Sequence, residues 1–207
     1  MTRTDIERLY TLMQRCFRYD GPYTLASGRT SNYYYDGKGA TLDPEAAWLI
    51  GNAIVDTVLD AGAEAVGGIE LGCVPIADAV GLAAHINRGR HLPTFIIRKE
   101  EKGHGTRSRI TAANVDDGEL LKPGRRVAIV EDAITTGGSI RQAIDVVREI
   151  GCEVVAVVAL VERHESGGTA LRGEGFPVYR LFYTDESGRL YIDEDYFSRV
   201  ATTPTRA

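Results

Sequence analysis

The residues with the densest chemistry lie between Arg126 and Ile150, RVAIVEDAITTGGSIRQAIDVVREI. An apolar strand pattern leads into two adjacent acids, Glu131 and Asp132, followed by Ala133 and Ile134. The small-residue loop Thr135-Thr136-Gly137-Gly138-Ser139 comes next, and then a helix pattern begins. Such a loop suits a phosphate. Glycines let backbone N–H groups approach an anion, hydroxyls add donors, and the positive end of a helix dipole faces the site. The loop also falls at the carboxyl end of a strand, where open α/β sheets bind ligands. A triphosphate-binding loop would need GxxxxGK[ST]; no lysine follows these glycines, so triphosphate hydrolysis is disfavoured. Two carboxylates beside a phosphate repel it unless they face a different part of the same ligand. A ribose 5-phosphate meets that demand, with its phosphate on the loop and its 2′ and 3′ hydroxyls on Glu131 and Asp132. The alternative is a glycine-rich turn with solvated acids.

Three other segments carry candidate groups. In YTLASGRTSNYYYD (23–36), Tyr34 and Tyr35 form an aromatic pair that can sandwich a flat heterocycle or can fill core. In RKEEKGHGT (98–106), Arg98, Lys99, Lys102 and His104 set four cationic or potentially cationic groups within seven positions. A solvated charge run is the ordinary explanation, whereas the glycines and the length of the segment favour a lid that closes on an anion. Arg163, in VERHESGG, follows a long apolar strand and is either a surface residue or a partner for a carboxylate. His85, His91 and His164 show no metal-ligand spacing.

These groups need elements to position them. Ile6, Leu9, Met13 and Phe17 space an amphipathic helix over 2–17, and an aromatic, turn-rich stretch of short strands or loops follows. Asp43 caps a second helix, Pro44 suits its first turn and Gly62 ends it. Strand patterns at 65–71, 94–98, 126–131, 154–162 and 178–183 alternate with helix patterns at 75–86 and 139–151. That rhythm predicts an α/β fold with a mostly parallel sheet covered on both faces. The interval 99–123 has little periodicity and is expected to be a mobile loop. The organisation expected is an N-terminal helix and hood over 1–43, a core over 44–183 and a C-terminal segment over 184–207, whose tail ATTPTRA is expected to be disordered.

With 207 residues, one compact domain with a full core is expected. The net charge of -5 argues against a nucleic-acid coat protein, and no run approaches the ~20 apolar residues that span a bilayer. Cys16, Cys73 and Cys152 are odd in number and widely spaced, which suits reduced thiols. The charged N-terminus lacks the apolar core of a signal peptide, so a soluble, cytoplasmic protein without nucleic-acid or membrane partners is expected.

EDAITTGGS closely resembles the phosphoribosyl-pyrophosphate (PRPP) motif of type I phosphoribosyltransferases. YTLASGRTSNYYYD and RKEEKGHGT resemble the N-terminal signature and the catalytic loop of the orotate phosphoribosyltransferases within that family. The resemblance runs from about residue 20 to 183. It implies the type I fold, with the loop from Glu131 to Ser139 binding PRPP together with Arg98, Lys99, Lys102 and His104. Lys102 and Asp132 would be catalytic. Tyr34, Tyr35, Thr135 and Arg163 would contact orotate, Arg163 through its carboxylate. The cofactor implied is Mg²⁺ held mainly by substrate, with no protein metal site. The implied assembly is a homodimer in which Lys99, Lys102 and His104 act in trans. The chain departs from many relatives in lacking a lysine at Ala26 and another near Cys73. A purine-type phosphoribosyltransferase and a non-catalytic PRPP sensor are the alternatives.

Overall fold

The structure, a computed structural model, describes residues 1–24, 30–99, 109–115 and 118–201. Helix α1 (Arg3–Gln14) is closed at its start by a capping box between Thr2 and Asp5. Four two-residue strands follow: β1 (Phe17–Arg18), β2 (Tyr23–Thr24), β3 (Thr30–Ser31) and β4 (Tyr34–Tyr35), paired β1 with β4 and β2 with β3. A short helix α2 (Lys38–Thr41) leads to α3 (Pro44–Asp60). As expected, Asp43 caps α3 through the Ala46 N–H, Pro44 sits in its first turn, and Gly62 follows it with φ +78. The helix expected over 2–17 stops earlier because Phe17 and Arg18 pair with Tyr35 and Tyr34.

Next come β5 (Ala65–Ile69), α4 (Cys73–Arg88), β6 (Thr94–Ile97), β7 (Ile110–Ala112), β8 (Arg126–Ile134), α5 (Gly138–Glu149) and β9 (Glu153–Glu162). The described chain closes with α6 (Gly167–Gly173), β10 (Val178–Thr184), β11 (Leu190–Ile192) and α7 (Glu194–Ala201). The main sheet runs β11-β10-β9-β8-β5-β6-β7. Its five inner strands are parallel, and β7 and β11 join antiparallel at the edges. This is the mostly parallel α/β architecture of the type I fold.

Residues alternate across β8. Ala128 and Val130 pack with α1, α3 and α4, while Val127 and Ile129 pack with α5. Burial on both faces explains why the strand reads as an unbroken apolar run. On α5, Ile140, Ala143, Ile144 and Val147 form the buried stripe read from the sequence. The isoleucines and the valine each contribute about 1.5–3 kcal/mol on burial.

Three differences from the sequence reading matter. First, β8 runs past the expected end at Glu131 through Asp132 to Ile134, so Asp132 as well as Glu131 lies within the strand. Second, the interval 99–123 contains β7, and Leu120 and Leu121 are buried. Third, β10 is not the last strand: β11 and α7 follow, with Tyr196 and Phe197 in the core. The expected tail lies outside the described residues apart from Ala201 at the end of α7.

Candidate functional site

At the carboxyl end of β8, Glu131 is buried and its Oε1 accepts the Asp132 N–H at 3.0 Å. Burial pushes its carboxyl well above its ordinary pKa, the neighbouring Asp132 charge pushes it further, and Lys99 opposes both. Asp132 has glycines on two sides. A Cβ on Gly37 would sit 3.2 Å from its Oδ2, and one on Gly72 would sit 2.8 Å from its Oδ1. Neither glycine was singled out by sequence. Only their absence of side chains lets the α2 and α4 entry turns close around this carboxylate.

The loop after β8 reaches α5 through Gly137, at φ +81, and no side chain caps the helix. Its first N–H groups are therefore left for a ligand, at the positive end of the dipole. The loop's carbonyls are engaged behind it. Thr135 O accepts the Gly167 N–H at 3.0 Å, and Thr136 O accepts from Arg141 Nη1 at 3.0 Å. A Cβ on Gly167 would approach Thr135 O to 2.3 Å, so α6 must begin with glycine here. A cleft of about 270 Å³ adjoins these elements, lined by Lys38, Glu70, Gly72, Lys99, Glu131, Asp132, Ala133 and Ser139 among others. The Glu70–Leu71 peptide beside it is cis. Glu70 Oε1 accepts the Lys99 N–H at 3.1 Å, tying the end of the β6 segment to the turn after β5.

A second cleft of about 140 Å³ lies where Thr30, Ser31 and Asn32 meet Arg163, His164, Glu165 and Glu186. Arg163 is 5% exposed. Its guanidinium lies 4.4 Å from the Tyr33 ring centroid and 3.4 Å from Glu165, and its Nε–H donates to Tyr33 Oη at 3.0 Å. This buried cation is not the ordinary surface arginine that was the alternative.

The structure thus brings Lys99, Glu131, Asp132, Ala133 and Ser139 together, and places Arg163 in a neighbouring cleft. It does not join Tyr34 and Tyr35 against one ring. Successive strand residues face opposite ways: Tyr34 is 37% exposed beside Tyr23, whereas Tyr35 is buried on Phe17, its hydroxyl donating to Asp132 O at 3.4 Å. Arg98 points to Thr111 on β7. Cys73 is fully buried as the first residue of α4, and burial pushes its thiol up to about 12. Lys102, His104 and Ala26 lie outside the described residues. Among the described residues, no group of three or more His, Cys, Asp or Glu side chains is placed to hold a metal, and no helix is long and apolar enough to cross a membrane.

The family described as "Phosphoribosyl transferase domain" matches residues 46–170. Orotate phosphoribosyltransferase of Aquifex aeolicus is 42% identical over 164 residues, 79% of this chain and 85% of that protein. That of Streptomyces coelicolor is 42% identical over 169 residues, 81% of this chain and 88% of that protein. Among solved structures, Mycobacterium tuberculosis H37Rv orotate phosphoribosyltransferase in complex with PRPP superposes with a TM-score of 0.69 at 31% identity. That match covers 89% of this chain and 99% of the other.

Proposed function

The chain belongs to the orotate phosphoribosyltransferase family, and on that premise we propose how its residues divide the work of transferring a phosphoribosyl group from PRPP to orotate. The products are orotidine 5′-monophosphate and pyrophosphate, a step in pyrimidine synthesis. A ring nitrogen of orotate gives up its proton and forms a bond to the anomeric carbon as the bond from that carbon to the pyrophosphate oxygen breaks; pyrophosphate leaves with the electron pair and can take up that proton. The transition state is oxocarbenium-like, as in glycoside chemistry. Since orotate is the nucleophile, no covalent enzyme intermediate is needed.

The observation that carries this reading is an uncapped, glycine-entered helix α5 shortly after a pair of adjacent carboxylates, Glu131 buried and Asp132 half-buried. The helix terminus and Ser139 hold the 5-phosphate. Asp132 and Glu131 accept from the ribose hydroxyls, and the Asp132 charge stabilises the positive charge developing on the ring. Lys99 faces the same cleft and pairs with the anionic leaving group, as Lys102 does from the catalytic loop. Arg163 takes the orotate carboxylate, and Thr135 contacts the base. Two adjacent carboxylates are too few for a protein cage around a metal. They suit Mg²⁺, which keeps waters and takes most of its ligands from substrate oxygens. Bound to pyrophosphate, Mg²⁺ supplies charge neutralisation of the leaving group. Relatives named for orotate favour this reading over the purine-type and non-catalytic alternatives. The decisive experiment is the loss of orotate absorbance on adding PRPP and Mg²⁺; turnover of adenine or hypoxanthine instead would overturn it.

We place the protein in the cytoplasm as a homodimer with shared sites. Trp48 on α3 is 48% exposed, and Leu82 and Ile86 on α4 are 58% and 63% exposed. Apolar side chains left open on two packed helices are what a subunit interface covers. Lys102→Ala is expected to lower kcat more than tenfold, on the order of a lost electrostatic contact to the leaving group, with the circular dichroism spectrum unchanged. Mixing Lys102→Ala subunits with Asp132→Ala subunits should restore part of the activity. No recovery in verified heterodimers would count against sites shared between subunits.

A further inference from the structure

We propose that Tyr33 is a positioning residue that sets Arg163 for the carboxylate of the base, and so helps select an acidic base over a neutral one. The inference rests on the reading that orotate meets Arg163 through that carboxylate. Tyr33 is 1% exposed, and its ring forms the floor beneath the Arg163 guanidinium, 4.4 Å from centroid to Cζ. Its hydroxyl accepts from Arg163 Nε at 3.0 Å, shares a hydrogen with Thr184 Oγ1 at 3.1 Å, and lies 3.4 Å from His164 Nδ1. Ser31 Oγ, which donates to the Tyr33 carbonyl at 2.7 Å, stands 3.4 Å from Arg163 Nη2. A tyrosine that only fills core needs one partner for its hydroxyl. This one faces three polar groups, one of them a cation.

The ring is itself clamped from behind. A Cβ on Gly188 would come within 2.3 Å of Tyr33 Cγ, so the turn between β10 and β11 lies flat on the ring only because residue 188 is glycine. Tyr19 holds that turn by donating to Gly188 O at 3.0 Å. The guanidinium thus rests on a fixed aromatic plane with Nε and Nη2 directed by Tyr33, Ser31 and Glu165. Among the described residues Nη1 makes no hydrogen bond, so that end remains for an anion in the adjoining cleft. An arginine already held in one rotamer loses less freedom when a carboxylate binds. Tyr33, Thr184 and Gly188 all lie outside residues 46–170, the stretch matched by the phosphoribosyl transferase domain. The shared domain supplies Arg163, and its flanking segments aim it.

Steady-state kinetics of Tyr33→Phe, Thr184→Val and Arg163→Ala test this, with orotate and with uracil, which lacks the carboxylate. Tyr33→Phe keeps the ring and removes the hydroxyl. It is expected to raise KM for orotate about five- to twentyfold, around the lower end of what losing a hydrogen bond to a charged group costs, while KM for PRPP, kcat/KM for uracil and Tm stay near wild type. Thr184→Val, which removes only the hydroxyl's second partner, should raise KM for orotate about two- to threefold. The double variant Tyr33→Phe/Arg163→Ala should bind orotate no worse than Arg163→Ala alone, because the two act as one unit. Arg163→Ala raising the orotate KM while Tyr33→Phe leaves it unchanged would overturn the proposal. Equal losses for orotate, uracil and PRPP would overturn it too, by showing a structural role. An unchanged orotate KM in Arg163→Ala would instead remove the premise about the carboxylate, and the proposal with it.

Discussion

At the phosphate end of the site, everything from Glu131 to Ser139 is contiguous in the chain, and most of the binding potential lies in backbone N–H groups at the start of α5. At the base end, Ser31, Tyr33, Arg163, Thr184 and Gly188 come from separate stretches, and the potential lies in one buried guanidinium. The first end needs only a strand, a glycine turn and a helix in succession. The second exists only after the N-terminal strands have packed Tyr33 against the β10–β11 turn and Arg163 after β9. A common substrate can therefore be held by a local motif, while the choice of base depends on tertiary assembly.

If the ends are separable in this way, substitutions should sort by which KM they move. Asp132→Ala should have the largest effect. It removes a carboxylate held between Gly37 and Gly72 at the ribose, and kcat/KM for PRPP should fall on the order of a hundredfold, as for the loss of one preorganised electrostatic group. KM for orotate should change little. A comparable loss at the orotate end would mean that the two clefts act as one. Arg163→Ala comes next, with orotate KM raised on the order of tenfold or more, the worth of a paired charge-assisted contact, and PRPP KM unchanged.

The same contrast governs what was legible in the residues alone. The motif from Arg126 to Ile150, the cap at Asp43 and the stripe on α5 are local, and local chemistry identified them. The reach of β8 past Glu131 through Asp132 to Ile134 was hidden because acids ordinarily end a buried strand, whereas here the ladder to β9 continues past them. Tyr33 was passed over for Tyr34 and Tyr35 because three consecutive tyrosines carry no mark of which one faces the core. The pairing of Phe17 with Tyr35 and Arg18 with Tyr34 sets that phase. Gly37, Gly72 and Gly188 look like any turn glycine until the groups beyond them, Asp132 and the Tyr33 ring, are in place. Strands β7 and β11 are three residues each, too short for periodicity to show.

Glu131 offers a test through stability rather than turnover. Its carboxyl titrates well above its ordinary 4.5 because it is buried and sits beside Asp132. The folded chain therefore holds this proton more tightly than the unfolded chain, and stability falls as pH rises from about 4.5 towards the raised folded value. Glu131→Gln removes that dependence. In urea denaturation, the variant should gain stability relative to wild type progressively as pH rises above about 4.5. Its activity should fall, the usual exchange where a functional site holds an unfavourable charge. A difference between the two proteins that stays flat with pH would show that Glu131 is not strained by burial.

The smallest expected effect is the sharpest check that the phosphate loop stands apart from the base cleft. Arg141 bridges the loop to the end of α6: Nη1 donates to Thr136 O at 3.0 Å, while Nη2 pairs with Glu174 at 2.5 Å. Engaging that carbonyl from behind fixes the orientation of the peptide that leads into α5. Glu174 is 45% exposed in its side chain, and an ion pair so open to solvent is worth about 0–1 kcal/mol. Glu174→Gln should therefore raise KM for PRPP by no more than about fivefold, less at high salt, where screening already weakens the pair. KM for orotate should not move, because neither Arg141 nor Glu174 borders the cleft around Arg163. A parallel rise in orotate KM would show strain passing from Gly137 through Gly167 into the segment that carries Arg163. The contact is there to transmit it, since the Arg163 N–H donates to Ile134 O at 2.8 Å, just before the loop. An unmoved orotate KM would mean that this backbone link anchors both ends without coupling them.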